Sequence, residues 1–599
     1  MPSLTDKSIK PKSKKGVFLR LSKYVLQQWP LFIVAVLLTL GANQLSLLGP
    51  RYSGAAIDAI ELESGVDFSA VWRNIAFMLA CYVISAVLSY VLSVIMIQLS
   101  QRITYKMRKQ VFEKLTSLPV SFFDTHATGD IISHLSYDID TINSTLSHDL
   151  IQVMTSIYTV VGSLIFMWQI SKPMILIFAL TVPVSILFTR YRSKKVRPLF
   201  SKRAKKYGEL NGFAEEMLTG SRTISAYGTQ EVVSSRFNKI NGEAMDAFYK
   251  AEYNGALLFP TINLINNISL ALVATMGGIL YMFSQNGTVL ATSVFFITLG
   301  GVAQFVQYSR KFAGPINEFS NILHEIQSAF SAAERVFAIL DEEPEKADAV
   351  DAQELKEVAG DVRLNDVTFG YTRDKTVLKN VSVNAEKGQT VAIVGPTGAG
   401  KTTIINLLMR FYDHQSGEIL IDGIPSIKLK RTDLRLAFNM VLQDTWLFCG
   451  TIYDNIVYGR EDASSEEVYE AAKSARIDSY IKSLPDGYNT VLSDDGVNIS
   501  KGQKQLITIA RAFLSKAPIL ILDEATSNVD SRTEIQIQKA MSALMENKTC
   551  FIIAHRLSTI QNADTILVVK DGAIIEQGNH EELIKQGGFY HSLYHSQFH

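Results

Sequence analysis

The chain has 599 residues, which is too many for one compact domain and enough for two to four. Charged residues make up 19% and hydrophobic residues 47%, whereas a soluble chain carries about 25% charged residues, so much of this chain avoids water. Lys plus Arg and Asp plus Glu both number 58, and this balance favours no nucleic-acid partner. The three distant cysteines, Cys81, Cys449 and Cys550, exclude a disulfide framework and a CxxC zinc module.

The first half of the chain contains six apolar stretches, each long enough to cross a hydrocarbon core of roughly 30 Å. They lie near Leu31–Pro50, Asn74–Leu99, Ile151–Ile170, Pro173–Thr189, Ala256–Phe283 and Thr288–Gln307. None of these stretches contains Asp, Glu, Lys or Arg in its core. We therefore predict six transmembrane helices, because buried helices of a soluble domain rarely give six uncharged stretches in one half of a chain.

Charges in the loops predict the orientation of these helices. Lys and Arg cluster before the first stretch, after the second and after the fourth, while the opposite loops are short or acidic. By the positive-inside rule, both ends of the six-helix unit face the cytoplasm. Within residues 1–27, apolar residues at helical spacing indicate an interfacial elbow helix, and a simple amphipathic entry segment fits the pattern equally well.

Two connections between the apolar stretches are long and helical in composition, which predicts that the membrane helices continue into the cytoplasm. Each connection turns near its far end, around Ser121–Asp130 and Thr219–Gly228. We expect a transmembrane domain over residues 28–330 and an acidic, Pro-containing linker over residues 331–355. Residues 356–599 alternate short β-rich runs with helical patterns, which predicts an α/β domain.

A phosphate-binding loop stands in its required setting between a strand and a helix. The strand Thr390–Val394 leads into Gly395, Pro396, Thr397, Gly398, Ala399, Gly400, Lys401, Thr402 and Thr403, where a helical pattern begins. Glycines let backbone N–H groups converge on phosphate oxygens, and the helix N-terminus adds positive potential. Lys401 is predicted to reach the β- and γ-phosphates of ATP, and the Thr402 hydroxyl to bind Mg²⁺.

A second motif ends an apolar run at Ile519-Leu-Ile-Leu with the acids Asp523 and Glu524. This pattern predicts a buried strand that delivers two carboxylates to the edge of the sheet. Asp523 is predicted to hold Mg²⁺ through water, and Glu524 to polarise the attacking water as a general base. Two acids after a strand also occur in solvated turns, but a phosphate-binding loop upstream favours the catalytic interpretation.

These motifs resemble those of an ABC exporter half-transporter of the type IV, multidrug-exporter-like fold, in which one six-helix domain is fused to one ATPase domain. The resemblance implies that Tyr371 stacks on adenine, that Gln443 touches Mg²⁺ and that Asp530 lies in a loop crossing to a partner. It also implies that His555 contacts the γ-phosphate and that the turns near Ser121–Asp130 and Thr219–Gly228 are coupling helices that dock onto ATPase domains.

The chain departs from this family at the signature sequence, which is usually Leu-Ser-Gly-Gly-Gln. Here the signature comprises Ser500, Lys501, Gly502 and Gln503, and Lys501 replaces the first glycine. The preceding Ser493-Asp-Asp-Gly496 also differs from the family's usual Glu-Arg-Gly run. By the resemblance, this loop lies against ATP bound to the opposite subunit, so a side chain there crowds the γ-phosphate or holds ATP without promoting turnover.

An intact phosphate-binding loop with an altered signature predicts an asymmetric heterodimer with one competent and one degenerate ATP site. Within the family, the chain most resembles the catalytic-Glu subunit of a heterodimeric bacterial exporter. The alternatives are a homodimeric exporter of lipid or peptide, in which Lys501 is tolerated, and an ATP-gated channel or regulatory subunit. Because the six stretches carry no charge, we expect an amphipathic or hydrophobic substrate, drug-like or lipid. A bacterial cytoplasmic membrane is the expected location, and an organellar half-transporter is the alternative.

Overall fold

The computed structural model describes residues 14–61, 65–285, 293–372, 374–442, 445–492, 499–523, 530–553 and 560–598. The chain divides into two compact units, and the division does not follow the sequence. The helical unit comprises Met1–Thr116 and Thr128–Glu342, and the α/β unit comprises Ser117–Ala127 and Glu343–His599.

Helices, most of them long, make up almost all of the helical unit. In chain order they are α1 (Lys14–Leu26), α2 (Trp29–Asp58), α3 (Phe68–Thr116), α5 (Thr128–Ser133), α6 (Ile139–Ser144), α7 (Leu150–Ile170), α8 (Lys172–Thr219), α9 (Ser221–Ala226), α10 (Gln230–Ala256), α11 (Leu258–Gln285) and α12 (Leu299–Asp341). The π-helical segments His134–Asp138 and Thr145–Asp149 connect α5, α6 and α7 into one helical run, and the two-residue strands β1 (Ile60–Glu61) and β2 (Gly65–Val66) pair between α2 and α3. The helix predicted near the N-terminus is therefore present as α1.

Within the described residues, five helical runs are long and apolar enough to cross a membrane, one fewer than the six predicted. They are Trp29–Asp58, Phe68–Thr116, Thr128–Ile170, Lys172–Thr219 and Gln230–Gln285. Only 11 to 22% of the most apolar window of each run is buried, so most of its apolar side chains face outward, as they do toward lipid. The 49-residue α3 is about 74 Å long at 1.5 Å per residue, far more than a bilayer core. The predicted extension of the helices beyond the membrane is confirmed.

The sixth long helix begins later than the sequence predicted. The predicted stretch was Thr288–Gln307, but residues 293–298 are not helical, and α12 begins at Leu299 with the Thr298 hydroxyl accepting from the Gly301 amide. Residues 286–292 lie outside the described part of the chain. The helix starts about ten residues after the predicted stretch does. A segment of α12 as long as that stretch therefore extends past Gln307.

This shift brings two cations, Arg310 and Lys311, to the depth of the first span. The Lys311 ammonium donates to the Ser46 hydroxyl at 2.8 Å, and the Tyr308 hydroxyl donates to the Leu47 carbonyl at 2.6 Å. Ser46 and Leu47 lie inside the first predicted apolar stretch. The expectation of uncharged spans covered Thr288–Gln307, and the two cations lie just beyond that stretch on the same helix.

The α/β unit contains a six-stranded sheet in the order β14-β13-β5-β12-β11-β8. Its strands are β5 (Thr390–Val394), β8 (Phe438–Val441), β11 (Ile519–Asp523), β12 (Thr549–Ile553), β13 (Thr565–Lys570) and β14 (Ala573–Gly578). All neighbours pair in parallel except β13 and β14. The central strands are buried almost throughout, as expected for a parallel sheet covered on both faces.

A second, antiparallel sheet has the order β4-β3-β6-β7, with β3 (Val362–Phe369), β4 (Leu378–Ala385), β6 (Ser416–Ile421) and β7 (Ile424–Pro425). The remaining elements are the paired strands β9 (Gly450–Thr451) and β10 (Val491–Leu492) and the helices α13 (Lys401–Leu408), α14 (Arg431–Leu436), α15 (Ile452–Val457), α16 (Ser465–Ser474), α17 (Asp478–Ser483), α18 (Lys501–Ser515), α19 (Ser531–Met545), α20 (His580–Gln586) and α21 (Phe589–Phe598). Two apolar clusters pack on the strands of the six-stranded sheet. The predicted α/β class is confirmed.

The segment Ser117–Ala127 belongs to the α/β unit although it interrupts the helical unit in sequence. It contains the short helix α4 (Val120–Thr125), which coincides with the first predicted turn. The Tyr412 hydroxyl donates to Asp124 at 2.5 Å, and the Glu345 amide donates to the Ser117 carbonyl at 2.9 Å. These contacts attach α4 to the α/β unit, as expected for a coupling helix.

A buried carboxylate ties the helical run after α5 to α12. Asp138 is 2% exposed, and the Arg335 guanidinium donates to both of its oxygens at 2.8 and 2.5 Å, while His134 Nδ1 lies 2.7 Å from Oδ2. Two residues along, Asp140 pairs with Arg108, but its side chain is 65% exposed. The two aspartates differ mainly in burial.

We predict that Asp138→Asn lowers the melting temperature of the detergent-solubilised protein by several degrees, because a buried charged hydrogen bond contributes about 1.5–3 kcal/mol. Asp140→Asn is the matched control, and its exposed ion pair contributes under about 1 kcal/mol. Thermal unfolding followed by intrinsic fluorescence checks both variants. Equal shifts in the two variants would contradict a structural role for the buried pair.

Candidate nucleotide-binding site

The predicted phosphate-binding loop connects β5 to α13 in the middle of the parallel sheet. Gly395, Gly398 and Gly400 all have positive φ, at 150°, 82° and 108°. A Cβ at Gly395 would lie 2.1 Å from the Val569 carbonyl oxygen, and one at Gly400 would lie 2.7 Å from the Leu378 side chain. Glycine is therefore required at both positions by close packing as well as by the backbone conformation.

Lys401 opens α13 and folds back over the loop. Its ammonium donates to the carbonyls of Gly395 and Pro396 at 2.7 and 3.1 Å. Desolvation by burial lowers the pKa of Lys401, and the nearby charge of Asp523 partly opposes this effect. A partly buried ammonium whose hydrogen bonds go to neutral carbonyls gains strongly from an anion, as a phosphate would provide. The exposed amides at the N-terminus of α13 add to this anion-binding character.

The two threonines after Lys401 have different surroundings. Thr402 is exposed at the first turn of α13, whereas Thr403 is buried, and its hydroxyl lies 3.1 Å from the hydroxyl of Tyr371. The Thr402 hydroxyl thus offers a solvent-exposed oxygen donor beside the loop. Thr403 instead positions Tyr371.

Tyr371 is the predicted adenine-stacking residue, and its side chain is 47% exposed. The ring packs edge-on against Phe369 and against Tyr412, with both centroid distances at 5.0 Å. The Asn406 side-chain amide also donates to its hydroxyl at 3.3 Å. The ring is therefore held at its edge and tip while much of its surface stays open, which is the arrangement that a stacked base needs.

Asp523 ends β11, two strands away from β5 in the sheet, with β12 between them. Because these strands are parallel, their carboxyl ends lie at one edge, where open α/β sheets bind ligands. Asp523 is close enough to Lys401 to influence its pKa. The other predicted catalytic residues, Gln443, Glu524 and His555, lie outside the described residues.

The predicted signature forms the start of α18. Ser500 is the N-cap, and its hydroxyl accepts from the Gln503 amide while the Gln503 side chain accepts from the Ser500 amide. Lys501 is exposed at the first helical position, and Gly502 is buried. The capping box fixes the backbone at the start of α18. Lys501, which stands in place of the usual glycine, therefore extends from a well-defined helix N-terminus. Asp530 similarly caps α19 by accepting from the Thr533 amide at 2.9 Å.

Comparison with known proteins agrees with this geometry. Residues 32–302 match the family model described as the ABC transporter transmembrane region, and residues 378–527 match the one described as ABC transporter. The uncharacterized ABC transporter ATP-binding protein YfiC of Bacillus subtilis is 40% identical over 592 residues, which are 99% of this chain and 96% of that protein. The chain belongs to the ABC transporter family.

The chain is also similar to a second transporter and to a solved exporter of that family. A fatty acid ABC transporter ATP-binding/permease protein of Mycobacterium tuberculosis is 43% identical over 529 residues, covering 88% of this chain and 82% of that protein. A bacterial Atm1-family ABC exporter solved with ATP bound aligns with a TM-score of 0.75 at 30% identity, covering 95% and 98% of the two chains. The chain is thus an ABC exporter half-transporter, a multi-pass membrane protein that binds ATP and couples its hydrolysis to transport.

Two residues of this ABC site were missed by the sequence analysis. Asn406 lies one turn after Thr403 on α13, so helical spacing could have placed it beside Tyr371. Tyr412 had no such signal, because its contacts with Tyr371 and Asp124 join segments that are distant in the chain.

We predict that Gly395→Ala weakens ATP binding at least tenfold, because the new methyl group would displace the loop from the Val569 carbonyl. Gly388→Ala is the control, since Gly388 also has a positive φ of 81° but has open space around its Cβ position. Binding of a fluorescent ATP analogue to the purified protein measures both. If Gly388→Ala weakened binding as much, backbone strain rather than the loop's close packing would be the cause.

Proposed function

We propose that this chain exports amphipathic or hydrophobic compounds by alternating access, as one half of an asymmetric heterodimer. Three observations support the proposal: the loop around Lys401 is built to receive phosphates, the signature carries Lys501 in place of glycine, and a fatty acid transporter is among the relatives. The substituted signature is the single observation that carries the asymmetry. We place the protein in a bacterial cytoplasmic membrane with both termini in the cytoplasm.

The residues of the ATP site have distinct proposed roles. Lys401 exchanges its loop carbonyls for the β- and γ-phosphates, and Tyr371 stacks on adenine. Glu524 polarises the attacking water, and His555 contacts the γ-phosphate. Hydrolysis at this site then resets the transporter for another cycle.

The oxygen donors at the sheet edge fit Mg²⁺. The exposed Thr402 hydroxyl and the Asp523 carboxylate are hard ligands, and Gln443 adds an amide oxygen in the proposal. In the proposal, the phosphates of ATP complete the coordination of the cation. When bound, the ion would neutralise charge on those phosphates.

The asymmetry follows from where the altered element acts. In the family, the signature of one subunit completes the ATP site of the other. Lys501 therefore affects the partner's ATP, whereas this chain's own site needs an intact signature from a different half-transporter. A homodimer would carry the substitution at both sites.

The aromatic group at the adenine site offers a route from ATP to transport. Tyr412 contacts Tyr371 through its ring and Asp124 of α4 through its hydroxyl. Binding of a base against Tyr371 would thereby constrain α4, which continues in sequence into α3 on one side and α5 on the other. We propose that this contact transmits nucleotide occupancy to the membrane helices.

We predict that Lys501→Gly raises ATP hydrolysis by the chain purified alone at least tenfold, because it restores the usual glycine at both sites of any homodimer. Lys504→Gly, one turn later on α18, is the control and should give no gain. Steady-state phosphate release in lipid nanodiscs measures both. Equal turnover at two sites in the unmodified chain would contradict the heterodimer, as would recovery of this chain alone from its native cells.

We predict that Glu524→Gln reduces ATP hydrolysis by roughly 10²–10⁴-fold, the usual contribution of a general base, while ATP binding is retained. Glu546→Gln, at an exposed position after α19, is the control and should leave both quantities unchanged. The measurement pairs phosphate release with equilibrium nucleotide binding. Retained hydrolysis in Glu524→Gln would refute the assignment of the general base.

A further inference from the structure

The helical unit contains a cavity of about 290 Å³ formed by α8, α11 and α12. Its lining residues fall within the fourth and fifth predicted membrane spans and on the stretch of α12 from Ser309 to Gly314. Arg310 lies eleven residues from the start of α12, or roughly 16 Å along the helix, so the cavity is near the middle of a 30 Å bilayer core.

The cavity is chemically divided. Phe178 and Phe312 contribute an aromatic side, where their rings meet edge to face with centroids 5.4 Å apart. Asn263 and Asn267 on α11 contribute amides, and the hydroxyls of Thr181 and Ser269 lie 3.1 Å apart. A ligand that fits this lining must itself have an apolar part and a polar part.

Arg310 is the one charged residue among the described residues that line this cavity. No carboxylate and no hydrogen-bond acceptor among the described side chains pairs with its guanidinium. The adjacent cation Lys311 differs, because it is directed to Ser46 on α2, outside the cavity. An arginine at this depth is costly unless it meets a partner or water, and such residues mark substrate pathways.

We propose that the cavity is the substrate site and that Arg310 binds the oxyanion headgroup of an amphiphile, with its acyl chain against Phe178 and Phe312. This proposal rests on the proposed export function and narrows its substrate class to anionic amphiphiles. A guanidinium can bind a carboxylate or a phosphate through two parallel hydrogen bonds, so both headgroups satisfy the chemistry. The asparagine amides would hold the remaining oxygen lone pairs.

Equilibrium binding to the full-length protein in nanodiscs of neutral lipid, without ATP, tests the site directly. The three probes have the same sixteen-carbon chain length and differ in headgroup. They are hexadecanoate, hexadecyl phosphate and uncharged hexadecanol. We expect the unmodified protein to prefer at least one anionic probe over hexadecanol by tenfold or more. Whichever anion binds more tightly distinguishes a carboxylate from a phosphate headgroup.

Arg310→Gln should remove this preference while hexadecanol binding stays within threefold, which also shows that the cavity is intact. Arg310→Lys should retain part of the preference, since it keeps the charge and loses the paired hydrogen bonds. Lys311→Gln is the matched control and should leave the preference in place. If Arg310→Gln kept the preference, or if the unmodified protein showed none, the proposal would be overturned.

These readouts separate the two proposals. Because binding is measured without ATP, the result does not depend on hydrolysis. A protein that moves hexadecanol in an ATP-dependent way but binds hexadecanol and hexadecanoate equally would retain the export function and refute the anion site. A protein with selective binding but no ATP-dependent movement of hexadecanoate in proteoliposomes that also contain the half-transporter recovered with it would retain the site and refute the export function.

Discussion

Parallel pairing of β5, β12 and β11 is the constraint on which the rest of the nucleotide site depends. Lys401 and Asp523 are far apart in sequence, and only the alignment of three strands in one direction brings both to the same edge of the sheet. The strands are buried and apolar, so their register is fixed by packing on both faces. The glycine-rich loop at Gly395 is therefore anchored to rigid strands. Because Gly395 packs closely against the Val569 carbonyl of β13, the loop backbone cannot shift toward β13.

Local patterns were sufficient to predict the parts of the structure that local physics determines. The strand Thr390–Val394, the glycine loop and the helix after it are confirmed, because glycine, β-branched residues and a lysine at a helix start carry their own conformational preferences. Five of the six predicted apolar stretches lie in helical runs that are long and apolar enough to cross a membrane, since length and hydropathy together determine a span.

Tertiary packing determined what the sequence could not predict. The start of α12 depends on Thr298 as its cap and on contacts with α2, neither of which a hydropathy window detects. Arg310 lies three residues beyond the predicted stretch Thr288–Gln307, so the hydropathy window did not include it. The contact between Tyr412 and Asp124 was likewise invisible, because it joins positions almost three hundred residues apart.

The membership of Ser117–Ala127 in the α/β unit has a consequence for how the protein is made. This segment leaves the ribosome well before Tyr412 and Glu345, the residues that receive it. Until those residues are synthesised, Asp124 lacks the Tyr412 hydroxyl and the Ser117 carbonyl lacks the Glu345 amide. The newly synthesised chain therefore holds α4 for a time without its partners in the α/β unit, and incompletely assembled chains are prone to misfolding. A chain divided between Glu342 and Glu343 would separate α4 from its unit, so neither fragment would contain a complete α/β unit.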